Sequence, residues 1–152
     1  MAADLDLVAT RPLEFGALVV PGSGTVRVSP DGSVTASGII PLNRARPAPA
    51  EFILIYRPRG LIGTGAVQLV LNTPPTLTRD GTTGVLSGIS TDLPGFSSLI
   101  PGQAQIYTFT ACRQPTCTVT FRVGATLTLT GGAADGRFSF PLSFTARVVA
   151  ES

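Results

Sequence analysis

A chain of 152 residues, 43% of them hydrophobic, has room for one domain with a substantial core and not for two, and a mean hydropathy of +0.36 argues against disorder. The longest uninterrupted apolar run, residues 52–56, is far shorter than the roughly 20 residues a membrane helix needs. All eleven basic residues are arginine, histidine and tryptophan are absent, and a scattered net charge of +2 leaves no electrostatic footprint for nucleic acid.

Residues 3–10 (ADLDLVAT) alternate, with Leu5, Leu7 and Ala9 on one side and Asp4, Asp6, Val8 and Thr10 mainly on the other, which is the period of a strand. Arg11-Pro12 then interrupts it, because proline cannot donate to a central ladder. Residues 1–11 are therefore read as a strand apart from a single sandwich domain over 12–152. Two readings of that strand stand open: an edge strand kept in its own sheet, or a donor strand that completes the sheet of a neighbour. The segment has no basic n-region and no apolar h-region, so it is not a signal peptide; the protein is then either cytosolic or a mature exported form, and the second is the preferred reading.

Residues 12–33 (PLEFGALVVPGSGTVRVSPDGS) read as two short strands closed by turns. Leu13 and Phe15 alternate with Glu14 and Gly16, Val26 and Val28 alternate with Arg27 and Ser29, and Asp31-Gly32 supplies hairpin turn chemistry. Residues 33–42 are a further strand ended by Pro41, and 43–51 are loop, broken by Pro47 and Pro49. Residues 52–56 (FILIY) are expected to form a central core strand and 66–71 another. Residues 76–101, rich in glycine and proline, are expected to hold one or two short strands among irregular loops. Cys112 and Cys117 lie between alternating runs, so the spacing predicts a hairpin whose first cross-strand pair is a disulfide; two free thiols are the alternative. Such a bond implies an oxidising compartment. The last strand, residues 137–149, alternates Phe138, Phe140, Leu142, Phe144, Ala146 and Val148 against polar neighbours, the longest clean alternation in the chain. With about seven to nine strands and no segment of helical period, the fold class is all-β, a two-sheet sandwich, with a closed barrel as the structural alternative.

Catalytic chemistry is hard to build from these residues. A hydrolytic triad needs an imidazole, and Gly60-Leu61-Ile62-Gly63-Thr64-Gly65 lacks the lysine of a phosphate-binding loop. The acids sit mostly in turns or near the termini, leaving Glu14, Glu51 and Asp92 with no reason to pair. With no histidine and no third cysteine, the cysteines make no zinc site. The protein is therefore expected to be non-enzymatic, with no cofactor and no metal. Arg44, Arg46, Arg57 and Arg59 form a basic corner able to meet a carboxylate-bearing partner if they lie close together; the preferred reading is that they are solubilising charges flanking aggregation-prone strands.

The order LEFG, a short apolar run, then PGSGTVRVSPDGS, followed by a threonine- and glycine-rich β region and a final alternating strand, resembles the bacterial surface-protein domain-of-unknown-function family 4402. The resemblance spans most of the chain. It implies an immunoglobulin-like sandwich, exported, and similar in organisation to pilus subunits of the chaperone-usher type. The expected function is a structural subunit of a surface filament that polymerises by strand donation. Leu5, Leu7 and Ala9 would fill apolar pockets of the next subunit, and the acceptor edge would be the strand of Phe138, Phe140, Leu142, Phe144 and Val148. Its partners would be copies of itself or related subunits, with a periplasmic chaperone and an outer-membrane usher. The alternative is a monomeric secreted module that binds a ligand through the loops 43–51 and 76–101.

Overall fold

The computed structural model describes residues 4–19, 22–42, 47–57, 63–79, 81–112, 116–131, 135–140 and 142–151. Among them lie thirteen strands: β1 (Asp4–Arg11), β2 (Leu13–Val19), β3 (Gly24–Val28), β4 (Val34–Ser37), β5 (Ile40–Leu42), β6 (Ala50–Arg57), β7 (Gly63–Leu71), β8 (Leu77–Arg79), β9 (Thr82–Thr91), β10 (Ala104–Cys112), β11 (Cys117–Gly131), β12 (Asp135–Phe140) and β13 (Phe144–Glu151). The fold is all-β, with no helix among the described residues and hence none long and apolar enough to cross a membrane. Its sheets do not close into a barrel: β1, β3, β4, β6, β8, β9 and β11 form one large sheet, β10-β7-β13 a second, and β12-β2-β5 a third.

The large sheet is organised by β11, whose fifteen residues reach along its whole length. Its first half pairs with β6 and its second half with both β3 and β9, all antiparallel. Alternation then decides what faces inward. Ala50, Phe52, Leu54 and Tyr56 of β6 are buried while the residues between them are half-buried, and Phe121, Val123, Ala125, Leu127 and Leu129 of β11 are buried on the same side. The two smaller sheets cover this inner face. Phe144 of β13 meets Phe52 and Phe121, and Phe109 of β10 stacks on Tyr56. Over the other half of the large sheet, Leu13 and Phe15 of β2 are fully buried, with Phe15 edge-on to Phe140 of β12. All of these belong to one continuous core. The result is a β-sandwich whose second layer is made of two short sheets.

The strand count exceeds the expected seven to nine because several segments with one alternating pattern are cut where the chain changes layer. The most consequential cut falls in the final alternation. Residues 137–149 are not one strand: β12 pairs with β2, whereas β13 pairs with β7 in another sheet. Pro141 lies between them and is outside the described residues; a proline cannot donate to a ladder, which suits a change of sheet. Residues 33–42 are divided likewise into β4 and β5, with Gly38 at φ 75° between them. The strands β2 and β3 flanking the PGSG turn belong to opposite layers, so they are not a hairpin. The next turn is one. Ser29 and Ser33 pair across it, Gly32 takes φ 91°, and the Asp31 carboxylate accepts from the backbone N–H and the hydroxyl of Ser33, which hold its carboxyl below the ordinary value.

The cysteines form the expected disulfide, with Cα atoms 6.1 Å apart, but not across a hairpin. β10 pairs only with β7 among the described strands, and β11 lies in the other layer, so the bond ties one layer of the sandwich to the other. Two layers held mainly by apolar packing gain a covalent link at the end where Phe109 and Tyr56 stack. Replacing both cysteines by serine is expected to lower the unfolding free energy by about 2 kcal/mol, the chain-entropy value for so short a loop. Urea denaturation of the double variant beside the oxidised parent checks it.

Candidate functional site

The half of the sandwich built from β1-β6-β11 and β13-β7-β10 ends on each side in two strands that lie in different layers. On one side these are β1 and β13, which lie against each other. β1 is hydrogen-bonded to β6 along its length, with Leu5 opposite Tyr56, Leu7 opposite Leu54 and Ala9 opposite Phe52, so the three apolar residues face the core as their alternation predicts. They face it only partly. Leu5 and Leu7 are half-buried, Ala9 is exposed, and on the outer side Val8 is 44% exposed. Between the strands lies an open cleft of about 130 Å³ lined by Leu7, Ala9, Phe52, Leu142, Ser143 and Phe144.

Polar contacts hold β1 from its outer face. The Arg57 guanidinium donates to the Asp6 carboxylate at 2.9 Å, with both side chains about half exposed, and Thr10 donates to Glu51 at 3.1 Å. Such solvated pairs contribute little to stability, typically under about 1 kcal/mol. Arg57 is thus a tether for β1. Arg44, Arg46 and Arg59, expected with it at a basic corner, lie outside the described residues, as does much of the 43–51 loop.

The residues expected to form one acceptor edge are divided between two sheets. Phe138 and Phe140 are buried on β12, Leu142 is buried beyond it, and Phe144 and Val148 are half-buried on β13. β12 and β13 are each the outermost strand of their sheet. Of this set, Leu142 and Phe144 line the same cleft as Leu7 and Ala9, the expected donor residues.

Residues 76–101 are more regular than their glycines indicated, because β9 runs for ten residues along β11. Arg27, on the outer face of β3, fastens this region: its guanidinium donates to the Gly88 carbonyl (3.3 Å), Thr126 Oγ1 (3.0 Å) and Ser90 Oγ (3.3 Å). The one hint of it in the sequence is a long cation between two buried valines. A second cleft, of about 270 Å³, opens beside it among Leu86, Ile89, Leu99, Ile100 and Pro101. No group of three or more acidic, histidine or cysteine residues arranged to hold a metal occurs among the described residues.

Searches of curated proteins and of solved structures returned no match to this chain. A family model does match: that described as Domain of unknown function (DUF4402), over residues 5–149, from the second residue of β1 into β13. Since the match takes in both layers of the sandwich and both walls of the seam, the chain belongs to the DUF4402 family.

Proposed function

We propose that this domain is a non-enzymatic structural subunit of a bacterial surface filament, exported through the periplasm, and that subunits join by donating β1 to a neighbour. The observation that carries the reading is the character of β1: an eight-residue strand, bonded along one edge, in which no described side chain is fully buried. A strand of this kind leaves its sheet without emptying the core and is free to pair with a sheet edge of a neighbour. Donation of a strand between identical copies is a low-cost route to assembly. The inter-layer disulfide fits an oxidising compartment. A periplasmic chaperone covers the vacated edge before assembly, and an outer-membrane usher delivers the subunit to the fibre.

A second reading, a monomeric secreted binding module, draws on two observations. β1 is paired within its own sheet, as that reading expects, and the cleft beside Ile100 gives the 76–101 region a concave apolar surface. Light scattering separates the two. Polymers from the full chain, and only monomers from a version lacking residues 2–10, are the expected result. A full chain that stays monomeric at high concentration, and unfolds when truncated, would sink the filament reading in favour of the binding module.

A further inference from the structure

On the side of the sandwich opposite the β1 seam, a strand position beside β11 is filled by no described strand. Val123 of β11 pairs with Ala50 of β6 and with Thr91 of β9 at once, so β6 and β9 lie on opposite edges of β11. β9 ends at Thr91. Asp92 then clasps Arg122: its N–H donates to the Arg122 carbonyl at 3.2 Å and its carboxylate accepts the Arg122 N–H at 2.6 Å. Pro94-Gly95 follow, and the chain does not continue beside β11. Along residues 117–121, no described strand lies on the edge facing away from β6.

Backbone groups of alternate residues point to the same edge of a strand. The Arg122 N–H and carbonyl point to the β9 edge, so those of Thr120 and Thr118 do too, and there they meet no described strand. The sequence makes this edge unusual. Natural edges are blunted by charge, proline or glycine bulges. β1 has Asp4, Asp6 and Arg11, and β13 has Arg147 and Glu151, whereas residues 117–121 (CTVTF) have no charge, no proline and no glycine, with three β-branched residues among five. An edge of that composition, left bare, templates a strand.

We propose that residues 117–121 are the acceptor edge of this protein, and that the strand they accept is β1 of a second copy. The proposal rests on the filament reading and adds the place of docking. β1 has the length to cover the five open residues, and its alternation continues the sheet correctly. Leu5, Leu7 and Ala9 extend the inner face of half-buried Val119 and buried Phe121, while Asp6, Val8 and Thr10 extend the outer face of Thr118 and Thr120. The disulfide at Cys117 and the Asp92 clasp at Arg122 bracket the position and limit its register. Donor and acceptor lie on opposite sides of one sheet, so the contact is head-to-tail and does not close on itself, which generates a fibre.

The test is polymer yield, by light scattering, of the full chain against Thr120→Pro, Thr120→Lys and Val149→Lys. Proline removes the N–H that points to the open edge and spares the bonds to β6; lysine keeps that N–H and adds an edge charge; Val149→Lys charges the β13 strand instead. Far-ultraviolet circular dichroism and urea midpoints establish which variants are folded. Folded Thr120 variants with polymer reduced at least about tenfold, beside normal polymerisation of Val149→Lys, are the expected result. If the proline variant does not fold, the lysine variant decides. Folded Thr120 variants that polymerise like the parent overturn this docking place and leave the filament reading standing. A parent chain that never polymerises overturns both.

Discussion

Replacing Phe52 by alanine is expected to cost about 4 kcal/mol of unfolding free energy, the largest loss of any single truncation in the β1-β6-β11 half of the molecule. The ring is 2% exposed, stacks on Phe121 at a centroid distance of 5.5 Å, and receives the edge of Phe144 at 5.0 Å. Phe121 and Phe144 also meet, at 5.7 Å, so the three rings form a closed triangle with corners on β6, β11 and β13. Two corners stand in the large sheet and one in the covering layer. Removing Phe52 therefore deletes buried area and leaves a void that neither layer fills without moving a ladder. Set against a total stability of roughly 5–15 kcal/mol, such a loss unfolds a large share of the protein near its melting temperature. Urea denaturation of the variant measures it, and a change below about 1 kcal/mol would show that the triangle is not packed as described.

The second large effect is expected from adding a single methyl group. Gly65 of β7 lies against the face of Tyr56, and a Cβ there would overlap the ring itself. Tyr56 is fully buried and stacked on Phe109 at 5.3 Å, so the ring has nowhere to go. Gly65→Ala is expected to cost about 3 kcal/mol, at the upper end for overpacking. The cause is steric rather than a matter of backbone propensity, and that is testable by compensation. In a Tyr56→Ala background, Gly65→Val is expected to cost about 2 kcal/mol less than in the parent, because the new side chain enters the vacated space. Additive losses in this double-mutant cycle would place the origin of the effect elsewhere.

What the sequence revealed and what it hid divide along a physical line. What the two-residue period and local turn chemistry set was legible: the inward faces of Leu13 and Phe15, the core-facing side of β1, and the turn at Asp31-Gly32; the strand at 52–56 was legible as an apolar run, whereas Ala50 and Glu51, read as loop, belong to β6. Which strands pair was not legible, because pairing is decided by contacts far apart in the chain. β10 and β11 follow one another and share a disulfide, yet they belong to opposite layers; the alternation from Arg137 to Val149 is unbroken, yet it serves two sheets. Alternation fixes which face of a strand is buried and is silent about which neighbour lies beside it. For the same reason the core-facing residues of β1 and of residues 137–149 were individually recognisable, whereas the edge of residues 117–121 that no described strand covers was not. That edge follows from where β9 stops, at Thr91 opposite Val123 on the far side of the strand.

The length and lateness of β11 have a consequence for how the chain reaches this state. Its partners are all upstream: Leu127 pairs with Val26, Phe121 with Phe52, and Val123 with Thr91. Until β11 has been synthesised, β3, β6 and β9 have no common neighbour, and hairpins such as β3-β4 and β8-β9 can form without any sheet to join. Folding is accordingly expected to be governed by closure of long loops, slow relative to chains of this size rich in local contacts. A nascent chain that ends before residue 117 has β3, β6 and β9 without the strand that joins them into one sheet.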